Sequence, residues 1–154
     1  LSRPTLIRAL AGPTYTFFFY GTLMDRAVLN LVSGREFTVV QLRPAILKGY
    51  RRLCVSNAVY PGIVPVKGSD VAGVVVRGIT PAVATRLDAF ENDGYDRTNV
   101  TVQTSARRRV KAAAYVATDR MSLDEVEWKF NAWLKQHRRH YLGRVRMWAK
   151  AYAG

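Results

Sequence analysis

The sequence predicts an α+β fold in which a small mixed β-barrel, or a strongly bent mixed sheet, is flanked by helices. The predicted elements run in the order strand, helix, several strands, helix, strands, helix, without a repeating β-α-β rhythm. The predicted strand at residues 71–79, VAGVVVRGI, contains two glycines, which are typical of a bulge or a tight barrel corner. A length of 154 residues is that of one domain.

The first predicted strand covers residues 15–20, where β-forming and aromatic residues indicate burial on both faces. Gly21 breaks this strand, and Asp25 is placed to cap a helix over residues 26–32 that Gly34 stops. The corner between strand and helix leaves a short row of backbone N–H groups without a strand partner. Such a corner is suited to holding a carboxylate or a phosphate, although an ordinary turn is the simpler interpretation.

The middle of the chain alternates extended and broken segments. Residues 45–55 are predicted as a strand that bends at Gly49. The following NAVYPGIVPVKGSD, residues 57–70, contains two prolines and two glycines and is predicted as a shaped loop with short extended pieces. The strand at 71–79 comes next.

A second helix is predicted to begin at Thr80, its N-cap, with Pro81 at the first helical position. It ends at NDG, residues 92–94, which is strong turn chemistry. Two more strands, 98–104 and 110–118, follow.

The last long element is predicted as a helix that starts at the capping box Ser122 to Glu125 and ends at Gly143. One face of this helix is predicted to pack on the body of the protein. Its residues are Val126, Phe130, Trp133, Leu134, His137 and Tyr141. The predicted organisation is therefore an N-terminal arm (1–14), one domain (15–142) and a basic C-terminal tail (143–154).

The formal net charge of +13 is the unusual feature of the composition. It indicates nucleic acid, an acidic membrane surface or anionic small molecules as partners. The basic residues concentrate at 51–52, 107–111 and 138–150, away from the central motifs. They are therefore interpreted as solvated edges around a separate site.

Glu91 is the candidate catalytic residue. It closes the second predicted helix directly after the apolar Phe90, where the negative end of the helix dipole disfavours a charged carboxylate. Partial burial acts in the same direction, so the pKa is expected to rise towards the range useful for a general base. The competing interpretation is a solvated glutamate at a helix end.

Motifs for other chemistries are lacking. The sequence has no glycine-rich phosphate loop and no serine in a nucleophile-elbow context. His137 and His140 lack an acidic or cysteine partner near enough in sequence to indicate a metal site. The sequence therefore predicts metal-free acid–base chemistry.

Four motifs occur in an order and spacing that resembles the gamma-glutamylcyclotransferase-like family, particularly its branch named for plant avirulence-induced proteins. They are YGTL at 20–23, YPGI at 60–63, LDAFENDGYDR at 87–97 and AYV at 114–116. The segment WKFNAWLKQHRRHYL at 128–142 resembles the C-terminal helix of that branch. The likeness extends over residues 15–142.

The resemblance implies a small mixed β-barrel flanked by helices and a cofactor-independent reaction. In that reaction a gamma-glutamyl group cyclises to 5-oxoproline and releases an amine or peptide. Glu91 would move the proton between the α-amine and the leaving amine. Residues Tyr20, Gly21, Thr22 and Leu23 would hold the substrate's α-carboxylate through backbone N–H groups, and Tyr95 and Tyr115 would line or support the pocket.

The alternative is a binding module of the same fold that uses its basic edges on a polyanion such as nucleic acid. For either function the expected location is the cytoplasm, with organellar targeting by a longer N-terminus left open. No apolar run approaches the length of about 20 residues that spans a bilayer.

Overall fold

The computed structural model describes residues 12–153, and over that range the chain forms six strands and four helices. The strands are β1 (Tyr15–Phe19), β2 (Arg43–Val55), β3 (Pro61–Ile79), β4 (Tyr95–Thr104), β5 (Arg109–Ala117) and β6 (Leu123–Glu127). The helices are α1 (Arg26–Ser33), α2 (Pro81–Phe90), α3 (Phe130–Gln136) and α4 (Arg138–Ala153). Residues 1–11 of the predicted N-terminal arm lie outside the described residues.

Strands β1 to β5 close into a mixed five-stranded barrel. Strand β1 pairs in parallel with β5 and antiparallel with β3, and the remaining pairs, β5 with β4, β4 with β2 and β2 with β3, are antiparallel. Strand β6 is added to β2 outside this ring. The predicted fold class, a small mixed barrel flanked by helices, is confirmed.

Strand β1 separates two apolar cores. Phe18, together with Tyr20 directly after β1, belongs to a cluster whose other members lie on β2–β5 and which fills the barrel. Phe17 and Phe19 belong to a second cluster that includes residues of all four helices. The prediction that this strand is buried on both faces is confirmed.

The first two helices follow their local signals. The Asp25 carboxylate accepts hydrogen bonds from the N–H groups of Ala27 and Val28, and α1 ends at Gly34 with φ at 70°. The hydroxyl of Thr80 accepts a hydrogen bond from the N–H of Val83 and caps α2. Both helices therefore begin where the sequence predicts.

The predicted loop at residues 57–70 is wrong, because β3 already begins at Pro61. Backbone pairing with β2 continues through Pro65, which lies opposite Tyr50. Pro65 lies in the part of β3 that has a paired strand on one side only, where a missing N–H donor is tolerated. The long antiparallel pairing overrides the local turn signals.

The predicted helix start at Ser122 is also wrong. Residues 123–127 form β6, which pairs with β2, and Val126 on that strand is exposed. The helical segment begins at Phe130 and consists of α3 and α4. Strand pairing outweighs the capping-box signal here, since a Ser-x-x-Glu pattern does not determine the backbone conformation by itself.

The predicted end of this helix at Gly143 is wrong as well, because α4 continues to Ala153. The residues predicted as a basic tail are helical as far as residue 153. Arg86 of α2 anchors them, since its guanidinium lies over the rings of Trp148 and Tyr152 and donates to the carbonyl of Val32 at the end of α1. Over residues 12–153, none of the helices combines the length and apolar character needed to cross a membrane.

Gly73 and Gly143 provide opposite tests of this packing. A Cβ at Gly73 would lie 2.3 Å from the Phe19 carbonyl oxygen and 2.8 Å from the Phe18 ring, so Gly73→Ala should destabilise the protein by about 1–3 kcal/mol. A Cβ at Gly143 would meet no atom within 4 Å, so Gly143→Ala within α4 should stabilise it by about 0.5–1 kcal/mol. Denaturant unfolding of both variants checks these signs. A destabilising Gly143→Ala would contradict the continuous helix.

Candidate active site

The corner after β1, residues 20–23, lines a cavity. A single 3₁₀ turn, Thr22–Met24, follows Gly21, and the N–H groups of Met24 and Asp25 bond to the carbonyls of Gly21 and Thr22 at 3.0 Å. Among the described residues, the N–H groups of Gly21, Thr22 and Leu23 have no hydrogen-bond partner. The corner therefore has the unpaired donors that the sequence predicts.

The corner is held in place by side chains from distant parts of the chain. Arg52 donates from Nη1 to the carbonyls of Tyr20 and Ala72, both at 2.8 Å. Arg138 pairs with the Asp25 carboxylate, and this contact joins the start of α4 to the start of α1. Two residues of the predicted solvated basic edges thus position the corner instead.

Glu91 is the residue that ends α2. Its N–H bonds to the Leu87 carbonyl at 3.0 Å, and its extended backbone turns the chain away from the helix axis. Its side chain is half-buried and lines the same cavity as the corner. Burial, followed by the nearby Asp88 carboxylate, raises the pKa of Glu91 to about 8. The predicted direction of the pKa shift agrees, with Asp88 as an additional cause.

Asp88, whose charge acts on Glu91, is held by two residues of the barrel strands. Its Oδ1 accepts a hydrogen bond from the Tyr115 hydroxyl at 2.7 Å, and its Oδ2 lies 3.1 Å from Nη1 of Arg97. Arg97 also lies over the rings of Tyr15 and Phe17 and is not a cavity residue. It therefore braces Asp88.

The tyrosines of the cavity are held by hydrogen bonds to backbone or side chains. The Tyr20 hydroxyl donates to the Tyr115 carbonyl, and the Tyr95 hydroxyl donates to the Pro61 carbonyl at 2.6 Å. Burial raises the pKa of the Tyr20, Tyr95 and Tyr115 hydroxyl groups well above the usual value for tyrosine. They are neutral at physiological pH and form rigid, polar-edged walls.

The cavity has a volume of about 270 Å³, at the small end for ligand sites in proteins. The structure brings all seven predicted site residues to its wall: Glu91, Tyr20, Gly21, Thr22, Leu23, Tyr95 and Tyr115. The lining also includes residues that were not predicted as site residues, among them Tyr60, Phe90, Asn92, Tyr141, Arg144 and Trp148.

Helix α4 supplies three of these additional residues. Tyr141, Arg144 and Trp148 are three and four residues apart and so share one helix face, which covers the cavity. The Tyr141 hydroxyl lies 3.1 Å from Oγ1 of Thr22 in the corner, and burial raises the pKa of Tyr141 to about 12. The helical spacing of Tyr141, Arg144 and Trp148 could have revealed this face from the sequence. It was missed because the helix was predicted to end at Gly143.

Asn92 connects the cavity to the turn after Glu91. Its amide oxygen accepts a hydrogen bond from the N–H of Gly94 at 2.8 Å, and its amide nitrogen lies 3.3 Å from the Tyr60 hydroxyl. Asn92 thus caps the turn that follows Glu91.

The basic turn at residues 107–111 lies at the opposite end of the β4–β5 hairpin from this cavity. It joins the end of β4 to the start of β5, whereas Tyr95 at the start of β4 and Tyr115 near the end of β5 line the cavity. Tyr95 is about 30 Å from the turn along β4, and Tyr115 is four residues, or about 13 Å, from Lys111 along β5. This turn is therefore separate from the candidate active site.

Comparison with known proteins identifies the class of this fold and then the family. A solved structure described as gamma-glutamyl cyclotransferase superposes with a TM-score of 0.63 over 87% of each chain, and at 15% identity it supports the fold alone. A solution structure from Arabidopsis thaliana superposes with a TM-score of 0.66 at 26% identity, over 93% of this chain and 86% of that one. The fold is that of the gamma-glutamylcyclotransferases.

The sequence comparisons are more specific. The family model described as gamma-glutamyl cyclotransferase, AIG2-like, matches residues 17–144. AIG2-like protein D of Arabidopsis thaliana is 31% identical over 139 residues, which cover 88% of this chain and 90% of that protein. The chain therefore belongs to the gamma-glutamyl cyclotransferase, AIG2-like family, as its motifs predict.

The raised pKa of Glu91 makes stability depend on pH. In the unfolded chain Glu91 ionises near pH 4.5, whereas in the folded protein its pKa is about 8. The stabilisation that comes from keeping this carboxyl group protonated is therefore complete below pH 4.5 and is lost as the pH rises towards about 8. Glu91→Gln remains neutral and should gain stability relative to wild type between pH 5 and pH 8. Thermal melts of both proteins across this range measure the difference.

Glu125→Gln is the matched control, because Glu125 is exposed on β6 outside the cavity. It removes the same charge without changing the buried site. A melting difference between wild type and Glu91→Gln that stays constant from pH 5 to pH 8 would contradict the raised pKa of Glu91.

Proposed function

We propose that this protein is a gamma-glutamyl cyclotransferase that converts a small gamma-glutamyl compound to 5-oxoproline and a free amine or peptide. The observation that carries the proposal is that a single small cavity is lined both by residues 21–23, whose N–H groups have no hydrogen-bond partner among the described residues, and by Glu91. The substrate contains a carboxylate for the first and an amine for the second. Family membership supports the same reaction.

The corner binds the α-carboxylate of the gamma-glutamyl group. Successive backbone N–H groups in a turn form a concave site for an anion. Arg52 and Arg138 fix the backbone on either side of this turn, so its donors need little reorganisation when the substrate binds.

Glu91 acts as the proton carrier. Its pKa of about 8 lies much nearer to that of an amine than the pKa of an ordinary glutamate does, which favours exchange of a proton between the two groups. The neutral α-amine attacks the γ-carbonyl carbon while ionised Glu91 takes a proton from the attacking nitrogen, and the bond to the leaving nitrogen breaks. The proton returns from Glu91 to that nitrogen.

The tyrosine walls restrict the conformation of the substrate. Nucleophile and carbonyl belong to one molecule, so the protein has mainly to hold the glutamyl chain in a folded shape. Tyr20, Tyr95 and Tyr115 are each fixed by a hydrogen bond and suit this purpose. The reaction needs no cofactor in this scheme.

A panel of gamma-glutamyl compounds tests the proposal, with release of 5-oxoproline as the measurement. Wild type should turn over at least one member, and Glu91→Gln should lower kcat by about 100-fold or more while keeping a wild-type circular dichroism spectrum. The kcat/KM of wild type should rise with pH through about 8 as Glu91 ionises.

Asp88→Asn is the matched control for this profile. It keeps Glu91 but removes the neighbouring negative charge, so the rise should move to lower pH by up to about one unit. Equal activity of wild type and Glu91→Gln would remove Glu91 from its role. Absence of turnover across the panel, together with salt-sensitive binding of nucleic acid through residues 107–111, would support the binding module instead.

A further inference from the structure

The cavity has a buried inner part and an exposed rim. The inner residues Tyr20, Thr22, Leu23 and Tyr115 are all less than 10% exposed. Arg144, by contrast, is exposed although it lines the same cavity. A ligand that fills the cavity therefore has its buried end against the inner residues and its solvent-exposed end near Arg144.

Charge in the cavity is concentrated in two side chains. Among the described residues that line it, Glu91 is the only acidic side chain and Arg144 the only basic one. Arg144 forms neither an ion pair nor a hydrogen bond with the described residues. Its guanidinium lies 5.5 Å from the centre of the Tyr141 ring. A guanidinium in this setting has its donors available for a ligand.

The position of Arg144 is fixed by its helix. Tyr141, one turn earlier on α4, contacts Thr22 in the corner, and Trp148, one turn later, packs edge-on against Phe90 at 5.2 Å between ring centres. Both neighbours hold the same helix face over the cavity. Arg144 is thus presented from a packed helix, although its own side chain is exposed.

We infer that Arg144 selects substrates whose leaving amine carries a carboxylate, such as a gamma-glutamyl amino acid or a short gamma-glutamyl peptide. This inference rests on the proposed function. With the α-carboxylate at the buried corner and the γ-carbonyl beside Glu91, the leaving amine extends towards the rim and Arg144. A carboxylate there forms a charge-assisted pair with the guanidinium, which an uncharged alkylamine or amide does not.

Gamma-glutamylalanine and gamma-glutamylalaninamide form a matched pair of probes. They are nearly the same size and differ in the charge of the leaving group. Wild type should favour the acid by about tenfold in kcat/KM, in line with a strong but partly solvated ion pair. Raising the ionic strength should reduce this preference, because Arg144 is exposed.

Arg144→Gln should reduce the acid-to-amide ratio of kcat/KM from about tenfold to about one, and Arg144→Lys should keep part of the preference. Arg146→Gln is the matched control. Arg146 lies two residues further along α4, is exposed and does not line the cavity. It removes the same charge from the same helix and should leave the preference unchanged.

The inference is overturned if wild type does not distinguish the two probes, or if Arg144→Gln weakens both equally. The second result would indicate a contact with the shared gamma-glutamyl group or a structural role. If neither probe is turned over, the full panel of gamma-glutamyl compounds decides the proposed function, and equilibrium titration of both probes decides the inference separately. Tighter binding of the acid, lost in Arg144→Gln but not in Arg146→Gln, supports it, and equal binding overturns it.

Discussion

Strand β1 is buried on both faces, with Phe17 and Phe19 against the helices and Phe18 and Tyr20 inside the barrel. Each buried aromatic side chain contributes about 1.5–3 kcal/mol of hydrophobic free energy, so this strand has little freedom to shift. The chain that leaves it at Gly21 emerges between the two cores. The position of the corner, and with it the cavity, follows from this double burial.

The position of α4 over the cavity depends on its contacts with the corner. Asp25 beside the corner pairs with Arg138 at the start of this helix, and Thr22 contacts Tyr141 one turn later. These contacts place the helix face that carries Arg144 over the cavity. The donors of the corner and the charge at the rim are therefore parts of one connected assembly, with Glu91 reaching the same cavity from the end of α2.

Local signals predict those parts of the fold where sequence neighbours decide the structure. The caps at Asp25 and Thr80 and the glutamate at the end of α2 are of this kind. Residues 61–70 and 123–127 adopt strand structure because β2 pairs with them, and such pairing leaves no local signature. The family motifs contain all seven site residues that were predicted from the sequence. Arg144 lies outside these motifs and beyond the predicted helix end at Gly143, so its place in the cavity was not predicted.

A crystal structure with bound 5-oxoproline tests the central claim most directly, namely that the corner and Glu91 form the two halves of one gamma-glutamyl site. In such a structure we expect the carboxylate of 5-oxoproline to lie within about 2.7–3.2 Å of the backbone nitrogens of residues 21–23. We expect the ring nitrogen to face the carboxyl group of Glu91. Occupancy of another surface, or a carboxylate directed away from the corner, would contradict it.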